Sequence, residues 1–417
     1  MSAPHITKVY SNCVLHGTLL AFSLELITPG KNTQMAAPGI APLKISLEPT
    51  LGSGASATNA LLTAMLGATE KVSDLIFSPG RPPQVEVYGQ LIPVQGPGLR
   101  LLSADDTRRI ASDLIGDNKQ AINMLREQGS CDISFGLPGV ARFRVNVFIQ
   151  RGSCAVVMRV IPTAIPEFST LGLPSQLGEI ANLRDGIVLV TGPRGSGKSS
   201  TLAALLDRIN EKQTCHIITI EDPIEFLHNH KKSTIHQREL HSDTPNFAMA
   251  LRAALRQAPK VIVVGEMRDR ETMEMVLEAA ETGHLVLTSL NAPSVFKTLE
   301  RIVTAFPPAD QPSLRGRLAK TLRYVVSQQL IPRKDGGRVA VLEVFKNTPR
   351  TRQFLECEDN SGENLLEAVK KGAMEGMQHF DQEIETLVRS GIIEMETALS
   401  YASDAQQLQS ALSKRRP

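Results

Sequence analysis

Residues 186–199 read Gly-Ile-Val-Leu-Val-Thr-Gly-Pro-Arg-Gly-Ser-Gly-Lys-Ser, and this stretch decides the fold. It begins with a continuous apolar run, which is typical of a strand buried on both faces. A glycine-rich loop follows, and after the loop Leu202, Leu205, Leu206 and Ile209 recur at helical spacing. The stretch therefore predicts a strand, a loop and a helix in immediate succession, the unit from which α/β domains are built.

The loop over residues 192–199 fits the phosphate-binding pattern G-x-x-x-x-G-K-[ST] at every fixed position. Gly195 and Gly197 allow successive backbone N–H groups to point at an anion, and the helix that begins near Lys198 adds its positive end. We expect Lys198 to neutralise the β- and γ-phosphates of ATP and the Ser199 hydroxyl to bind Mg²⁺. A glycine turn with an exposed lysine is the alternative, and the strand–loop–helix context argues against it. The predicted nucleotide-binding residues are Gly192, Pro193, Arg194, Gly195, Ser196, Gly197, Lys198, Ser199 and Ser200.

Three further apolar or β-branched runs, at 216–220, 261–264 and 284–288, are separated by segments with helical spacing. Strands that alternate with helices in this way predict a parallel sheet and the α/β fold class. From about residue 313 the chain reads as mostly helical, with amphipathic segments at 364–373, 380–390 and 394–412.

Carboxylates follow two of the predicted strands. Glu221, Asp222 and Glu225 come after the first run, and Glu266 comes after the second. Ligands bind at the carboxyl ends of parallel strands, so these side chains are expected on the γ-phosphate side. Hydrolysis needs a group that orients or deprotonates water and supports the metal, and Glu266 is the first candidate for it, with Glu221 next. A solvated acidic turn is the alternative interpretation of residues 221–225.

Three candidate residues lie outside these turns. His284, at the start of the third run, is expected to contact the γ-phosphate, although a lone histidine more often has a structural role. Arg144 and Arg159 lie on predicted strands of an earlier domain, where exposed arginines usually favour solubility. If that domain closes over a nucleotide, a guanidinium stabilises charge that develops on the γ-phosphate.

The earlier domain, over residues 58–163, is predicted to be a small α+β unit. Residues 59–69 have helical spacing, and residues 85–92 and 141–149 alternate like strands. In the second alternating stretch, Arg142 and Arg144 share one face and Phe143, Val145 and Val147 share the other. Residues 155–161 predict one more strand.

The chain divides into five predicted parts. Residues 1–57 form an extension that ends in a Pro-, Gly-, Ser- and Ala-rich linker at 29–56, followed by the α+β domain at 58–163. A proline-punctuated connector is predicted at 164–175, the α/β domain at 176–345 and a C-terminal helical segment at 346–417.

Composition narrows the function classes. The chain has 417 residues, a formal net charge of +2 and 42% hydrophobic residues, values of an ordinary globular protein. With charges interspersed, no overall field attracts nucleic acid or lipid, and the basic cluster at residues 414–416 reads as a solvated tail. Five scattered cysteines without a C-x-x-C pair argue against a zinc site or a disulfide framework and favour a reducing, cytoplasmic location. No apolar run is long enough to span a bilayer.

Taken together, the chain resembles the secretion-ATPase superfamily, in the PilT/PilU branch that powers type IV pilus retraction, over about residues 58–410. The strings that carry the resemblance in the first domain are Ser73-Asp-Leu-Ile-Phe-Ser-Pro-Gly-Arg-Pro-Pro, Gly139-Val-Ala-Arg-Phe-Arg-Val-Asn and Arg159-Val-Ile-Pro. Those of the second domain are the phosphate loop, Thr219-Ile-Glu-Asp-Pro-Ile-Glu-Phe, Gln237-Arg-Glu, Val264-Gly-Glu-Met-Arg-Asp, Ala280-Glu-Thr-Gly-His-Leu and Gly376-Met-Gln-His-Phe-Asp.

The resemblance implies a homohexameric ring with a PAS-like first domain and a RecA-like P-loop ATPase domain. Such rings work in the cytoplasm at the inner-membrane base of the pilus machine, where the expected partners are a platform protein and a paralogous retraction ATPase. It makes Glu266 the Walker B glutamate, Glu221 an acidic residue near the water, and Arg144 and Arg159 arginines that reach the nucleotide. The absence of a four-cysteine insertion argues against the pilus-assembly and type II secretion branch.

This chain departs from the family pattern at three places. Asn291 stands where members usually have a second histidine, Lys260 stands where an acidic residue usually precedes a strand, and residues 350–355 replace a helix motif of the retraction branch. Asparagine cannot carry a proton, so any charge role there is lost. Lys260 is expected to weaken Mg²⁺ support locally.

The leading hypothesis is a retraction motor that hydrolyses ATP. An accessory PilU-like subunit, or a regulator that binds ATP with little turnover, is an alternative that the departures favour. A DNA-translocating hexamer is a third, since RecA-like ATPases also do this, but the near-neutral charge argues against a nucleic-acid partner.

Overall fold

The computed structural model describes residues 42–45, 55–69, 71–96, 99–162, 164–356 and 362–413, without the side chains of 362–364. Most of the predicted extension at 1–57, Thr163 at the predicted domain boundary, Cys357 and the basic cluster at 414–416 lie outside the described residues. Across the described ranges, no helix has both the length and the apolar character needed to cross a membrane.

The first sheet is built from residues 43–161. Its strands and the helices beside them are β1 (Leu43–Lys44), α1 (Ala55–Leu66), β2 (Val72–Phe77), β3 (Gln84–Val87), β4 (Gln90–Gln95), α2 (Ala104–Ile115), α3 (Lys119–Gln128), β5 (Ser130–Leu137), β6 (Ala141–Gln150) and β7 (Ser153–Ile161). Among the described residues the strand order is β1-β4-β3-β2-β7-β6-β5. Neighbours are antiparallel apart from β1 and β4, which run parallel.

The alternation predicted for β6 is confirmed. Phe143, Val145 and Val147 are fully buried in the core of this sheet, and Arg144 on the other face is exposed. Because successive strand side chains point to opposite faces, one strand both closes the core and presents arginine outward.

Two details of the first domain differ from the sequence prediction. Residues 85–92 form a hairpin of β3 and β4 instead of one strand, because Tyr88 and Gly89 both adopt positive φ, at 53° and 78°, which turns the chain back. Within the predicted linker, Leu43 and Lys44 pair with Val94 and Gln95, so these linker residues belong to the sheet.

The second domain contains a sheet whose strands lie within residues 186–346. Its elements are α4 (Phe168–Leu171), a 3₁₀ helix (Ser175–Asn182), β8 (Gly186–Thr191), α5 (Lys198–Lys212), β9 (His216–Glu221), β10 (Thr234–Glu239), α6 (Phe247–Ala254), β11 (Val261–Val264), α7 (Arg270–Glu281), β12 (Leu285–Leu290), α8 (Val295–Thr304), α9 (Gln311–Thr321), β13 (Leu322–Pro332) and β14 (Arg338–Lys346). In the described chain the strand order is β10-β9-β11-β12-β8-β13-β14, and every pair is parallel except β13 with β14.

The predicted α/β class with a parallel sheet is confirmed. All residues of β8, β11 and β12 are buried, because helices cover both faces of the sheet and form a separate apolar core on each. A sheet enclosed in this way exposes polar groups only at its edges, and at the carboxyl edge these groups line a cleft.

The prediction that the chain is mostly helical from residue 313 is wrong for residues 322–346, which form β13 and β14. Polar residues inside β13 obscured the strand: Ser327 and Gln328 are buried because their side chains bond to Thr191 and Thr201. The helices that follow are α10 (Pro349–Glu356), α11 (Gly362–Lys371), α12 (Phe380–Arg389), α13 (Met395–Tyr401) and α14 (Ala405–Ser413), with a short 3₁₀ turn at Ala373–Glu375.

A buried carboxyl joins these C-terminal helices to the second sheet. Glu343 of β14 is 5% exposed and accepts a hydrogen bond from the Val295 N–H at the start of α8. His379, which precedes α12, lies 3.8 Å from the same carboxyl through Nε2. Burial lowers the pKa of His379 from its usual value and raises the pKa of Glu343 to about 7, because each charged form has lost water.

The raised pKa of Glu343 predicts a pH-dependent stability difference. The pKa of Glu343 is higher in the folded protein than in the unfolded chain. The contribution of this carboxyl to the free energy of unfolding is therefore largest in acid and falls as pH rises towards about 7. We expect Glu343→Gln to raise the Tm by several degrees at pH 8 and to leave it nearly unchanged at pH 5, measured by scanning calorimetry without nucleotide. Glu396→Gln, at an exposed glutamate of α13, is the matched control. An equal Tm difference at both pH values would contradict the assignment.

Candidate nucleotide-binding site

The loops that follow four parallel strands meet at one edge of the second sheet. Gly192 follows β8, Glu221 ends β9, Glu266 lies two residues beyond β11, and Asn291 follows β12. Glu221, Glu266 and Asn291 line a cavity of about 780 Å³ together with much of the predicted phosphate loop, although Gly192 itself does not. The other lining residues are Arg144, Arg194, Gly195, Gly197, Lys198, Ser199, Ser200, Leu202, Ala203, Leu206, Thr219, Asp222, Pro223, Glu225, Phe226, His228, Phe247, Val263, Gly265, Arg268, Ser289, Leu330 and Arg338.

The loop has the backbone shape that an anion cradle needs. Gly195 and Gly197 have φ of 75° and 87°, and α5 begins directly after Gly197 at Lys198. A Cβ at Gly197 would lie 2.7 Å from the side-chain nitrogen of Gln328, so both conformation and space require glycine there. The Ser196 hydroxyl is buried in the loop without a hydrogen-bond partner among the described residues, and Ser196 does not line the cavity.

Gln328 supports this loop from the neighbouring strand, and the sequence reasoning missed it. Its side-chain nitrogen donates to the Ser196 carbonyl at 2.7 Å, and its side-chain oxygen accepts from the Thr201 hydroxyl at 2.6 Å. Gln328 is 2% exposed. The position of Thr201 one turn into α5 was readable from the sequence, but nothing in the sequence of β13 indicates that Gln328 reaches the loop.

The Lys198 ammonium lies inside the loop. Its Nζ donates to the carbonyls of Gly192 and Pro193 at 3.0 and 2.9 Å and to Asn291 Oδ1 at 2.8 Å. Burial lowers the pKa of Lys198 from its usual value, and the carboxylates of Glu266 and Glu225 partly oppose the change. A partly desolvated cation without a direct carboxylate partner is suited to receive a phosphate.

Glu266 is held by two neighbours at the same edge. Asn291 Nδ2 donates to its Oε1, and Arg268 Nε donates to its Oε2 at 2.8 Å. The guanidinium of Arg268 also donates to Asp222 at 3.1 Å, and these two carboxylates raise the pKa of Arg268. Arg268 therefore fixes two acidic groups of different loops in one arrangement, a contact that the sequence reasoning did not identify.

Glu221 lies deeper in the cleft. Its Oε1 accepts from the Thr219 hydroxyl at 2.6 Å and from the Gln237 side-chain nitrogen at 3.0 Å. Burial raises the pKa of Glu221 despite these two bonds. A carboxyl in this setting is able to exchange a proton closer to neutral pH than an exposed glutamate.

The groups next to Ser199 fit a magnesium ion. The Ser199 hydroxyl donates to Glu225 Oε1 at 2.9 Å, so a hydroxyl and a carboxylate oxygen meet beside the loop. Mg²⁺ prefers oxygen ligands and keeps several waters, which a site with few protein ligands allows. The described residues contain no group of three or more His, Cys, Asp or Glu side chains placed to hold a metal.

The two predicted arginines differ in position. Arg144 lines the cavity with a half-exposed side chain 4.0 Å from Asp132. Arg159 is its cross-strand partner on β7, but it pairs with Asp74 at 3.0 Å and does not line this cavity. Arg142, on the same face of β6, donates to the buried Glu239 at 3.0 Å and so joins the first sheet to β10.

Two predictions placed residues at the wrong edge of the sheet. His284 precedes β12 and Lys260 precedes β11, so both lie at the amino edge of the sheet. The phosphate loop follows β8 at the other edge, about 20 Å away along that six-residue strand. His284 Nδ1 instead bonds to the Ala279 carbonyl at 2.9 Å, which is a structural role. The structure therefore places neither His284 nor Lys260 in this cavity, which contradicts the prediction that His284 contacts the γ-phosphate there.

The Gln328 contacts predict a role in shaping the loop. We expect Gln328→Ala to weaken ADP binding about tenfold, since loss of hydrogen bonds at a buried site is worth about 1–2 kcal/mol. Titration with a fluorescent ADP measures the change. Gln329→Ala, at the next residue of the strand and on its opposite face, is the matched control and should bind normally. Unchanged affinity in folded Gln328→Ala would show that the loop keeps its shape without this support.

The chain is similar to known proteins over most of its length. Residues 128–400 match the family described as Type II/IV secretion system protein. The type IV pilus retraction ATPase PilT of Pseudomonas aeruginosa is 42% identical over 335 residues, which cover 80% of this chain and 95% of that protein. The pilus ATPase PilU of the same organism is 40% identical over 339 residues, covering 81% of this chain and 86% of that protein. A crystal structure of the pilus retraction motor PilT with bound ADP superposes with a TM-score of 0.73 at 41% identity, covering 84% of this chain and 97% of that one. The chain therefore belongs to the type II/IV secretion system protein family, and it is a P-loop ATPase with a RecA-like core.

Proposed function

We propose that this protein hydrolyses ATP with Mg²⁺ at the carboxyl edge of its second sheet and uses the energy to power type IV pilus retraction. The observation that carries the proposal is that Lys198, in a glycine loop at a helix start, and Glu266, two residues beyond β11, line one cavity. A cation for phosphate and a carboxylate for water, both bonded to Asn291 in one cleft, are the groups that phosphoanhydride hydrolysis needs.

The chain's own groups divide the work. The loop amides and Lys198 hold the phosphates, and Lys198 stabilises the charge that develops on the transferred phosphoryl group. Glu266, oriented by Asn291 and Arg268, positions the attacking water and draws its proton. In this proposal Glu221, which lines the same cavity, accepts that proton afterwards. Bound Mg²⁺, held through Ser199 and its neighbour Glu225, supplies further neutralisation of the phosphate oxygens.

The activity is tested by comparing ATP turnover of the wild type with that of Glu266→Gln. The substitution keeps size and hydrogen-bonding atoms but removes the base, so we expect turnover to fall by about two to three orders of magnitude while ATP still binds. Phosphate release and fluorescent ATP titration give the two measurements. If both proteins show equally negligible turnover, the protein is an ATP-binding regulator instead of a motor.

Lys198→Ala tests the binding half of the site. Loss of the ammonium is expected to abolish measurable nucleotide binding or turnover without a change in Tm of the nucleotide-free protein, because Lys198 bonds only to loop carbonyls and Asn291 in the described structure. Lys334→Ala, at an exposed lysine on the surface, is the control. Normal turnover in Lys198→Ala would contradict the assigned role of the lysine.

We further propose a homohexamer in which arginines of one subunit face the nucleotide of a neighbour. Arg144 and Arg159 are adjacent on one sheet face, and both side chains are more than half exposed, so both guanidinium groups are accessible to another chain. In such an arrangement turnover depends on assembly of the ring. Light scattering with and without nucleotide measures the molar mass in solution and would detect a hexamer.

The ring would work at the cytoplasmic base of the pilus machine, on an inner-membrane platform protein. The identities of 42% to a retraction ATPase and 40% to PilU do not separate a main motor from an accessory subunit. Asn291 and the altered segment at 350–355 are the features of this chain that favour the accessory role. A deletion strain that retains full surface motility would support an accessory role, and one that loses motility would support the motor.

A further inference from the structure

Asn291 lies between the two charged groups of the site. Its Oδ1 accepts from Lys198 Nζ at 2.8 Å, and its Nδ2 donates to Glu266 Oε1. The backbone carbonyl of Asn291 accepts from Arg301 at 2.7 Å, which fixes where the side chain starts. One carboxamide thus connects the phosphate-binding cation to the water-activating carboxylate.

The chemistry of the two neighbours fixes the orientation of this amide. An ammonium group has three donors and no acceptor, so it requires the amide oxygen. An ionised carboxylate accepts only, so it requires the amide nitrogen. A flipped amide would place oxygen against carboxylate and nitrogen against ammonium, and both contacts would repel.

We infer that Asn291 is a positioning residue that acts as a neutral spacer, keeping Lys198 and Glu266 from forming a direct ion pair that would compete with ATP. All three acceptors of the Lys198 ammonium, two backbone carbonyls and the Asn291 amide, are uncharged. An incoming phosphate displaces a neutral oxygen more easily than a carboxylate, because no ion pair has to be broken in a partly buried site. The inference rests on the proposed function and assigns a role to a residue of the same site.

The same arrangement removes a titrating group from the phosphate side of the cleft. The charged groups around Asn291 are Lys198 on the loop, Glu266 beyond β11 and Arg301 of α8, which bonds to the Asn291 backbone carbonyl, and Arg268 lies behind Glu266. Asparagine keeps one charge state at every physiological pH, whereas histidine at this position would gain a proton as pH falls towards 6. Asn291 therefore adds no pH dependence to the relative affinity of this site for ATP and ADP across that range.

Asn291→Asp tests the spacer because it keeps the shape and the backbone contacts but introduces a charge. The new carboxylate pairs directly with Lys198 and repels Glu266, so we expect ADP and a non-hydrolysable ATP analogue to bind at least tenfold more weakly in calorimetric titrations with Mg²⁺. Asn246→Asp is the matched control, because that asparagine caps α6 through its side-chain oxygen and a carboxylate does the same. Wild-type affinity in folded Asn291→Asp would overturn the inference.

Asn291→His provides a second test that does not depend on turnover. When pH falls from 8 to 6, the imidazole of this variant gains a positive charge next to the γ-phosphate. The ratio of ATP-analogue affinity to ADP affinity is therefore expected to increase severalfold. The wild-type ratio, measured in parallel, should change less than twofold. An equal pH dependence in both proteins would overturn the inference. Since both tests measure binding, they are decisive even if the wild type proves to have no turnover, which would contradict the proposed function alone.

Discussion

The burial of the parallel sheet on both faces is the constraint on which the rest of the molecule depends. When every residue of β8, β11 and β12 is enclosed between two apolar cores, charged side chains have no place along the strands. They collect in the loops beyond the strand ends, and parallel strands bring four such loops to one edge. The concentration of charge that the chemistry requires is thus a consequence of how the core is covered.

Charged groups gathered in one cleft tend to form ion pairs, as Arg268 does with Glu266 and Asp222, but polar uncharged side chains hold Lys198 and Glu221 without such pairing. Asn291 separates Lys198 from Glu266, while Gln237 and Thr219 hold Glu221 through neutral bonds. Gln328 plays a similar part beneath the loop, where it contacts a carbonyl and a hydroxyl. Because amides donate and accept at the same time, they fix position without cancelling charge.

The sequence predicted those parts of the site that are local in the chain. The loop, the helix that follows it and the carboxylates at strand ends could be read from spacing, since each depends on neighbours within a few residues. Gln328 and Arg268 were missed because their partners lie 132 and 46 residues away, and no local pattern records that contact. His284 was misplaced for a different reason: it stands at the start of its strand, and the rule that puts ligands at the carboxyl ends of parallel strands places that residue at the opposite edge.

A contact between the two sheets also affects the acidic groups of the cleft. Glu239, at the carboxyl end of β10, accepts from Arg142 of the first sheet at 3.0 Å and from the Ile224 N–H at 3.1 Å. Ile224 lies in the turn between Asp222 and Glu225, both of which line the cavity. Removing one partner of a buried ion pair costs about 3–5 kcal/mol. A movement of β6 away from β10 therefore either breaks this pair at that cost or displaces the acidic turn together with β6. The position of the first domain and the geometry of the acidic groups are therefore coupled through a single buried carboxylate.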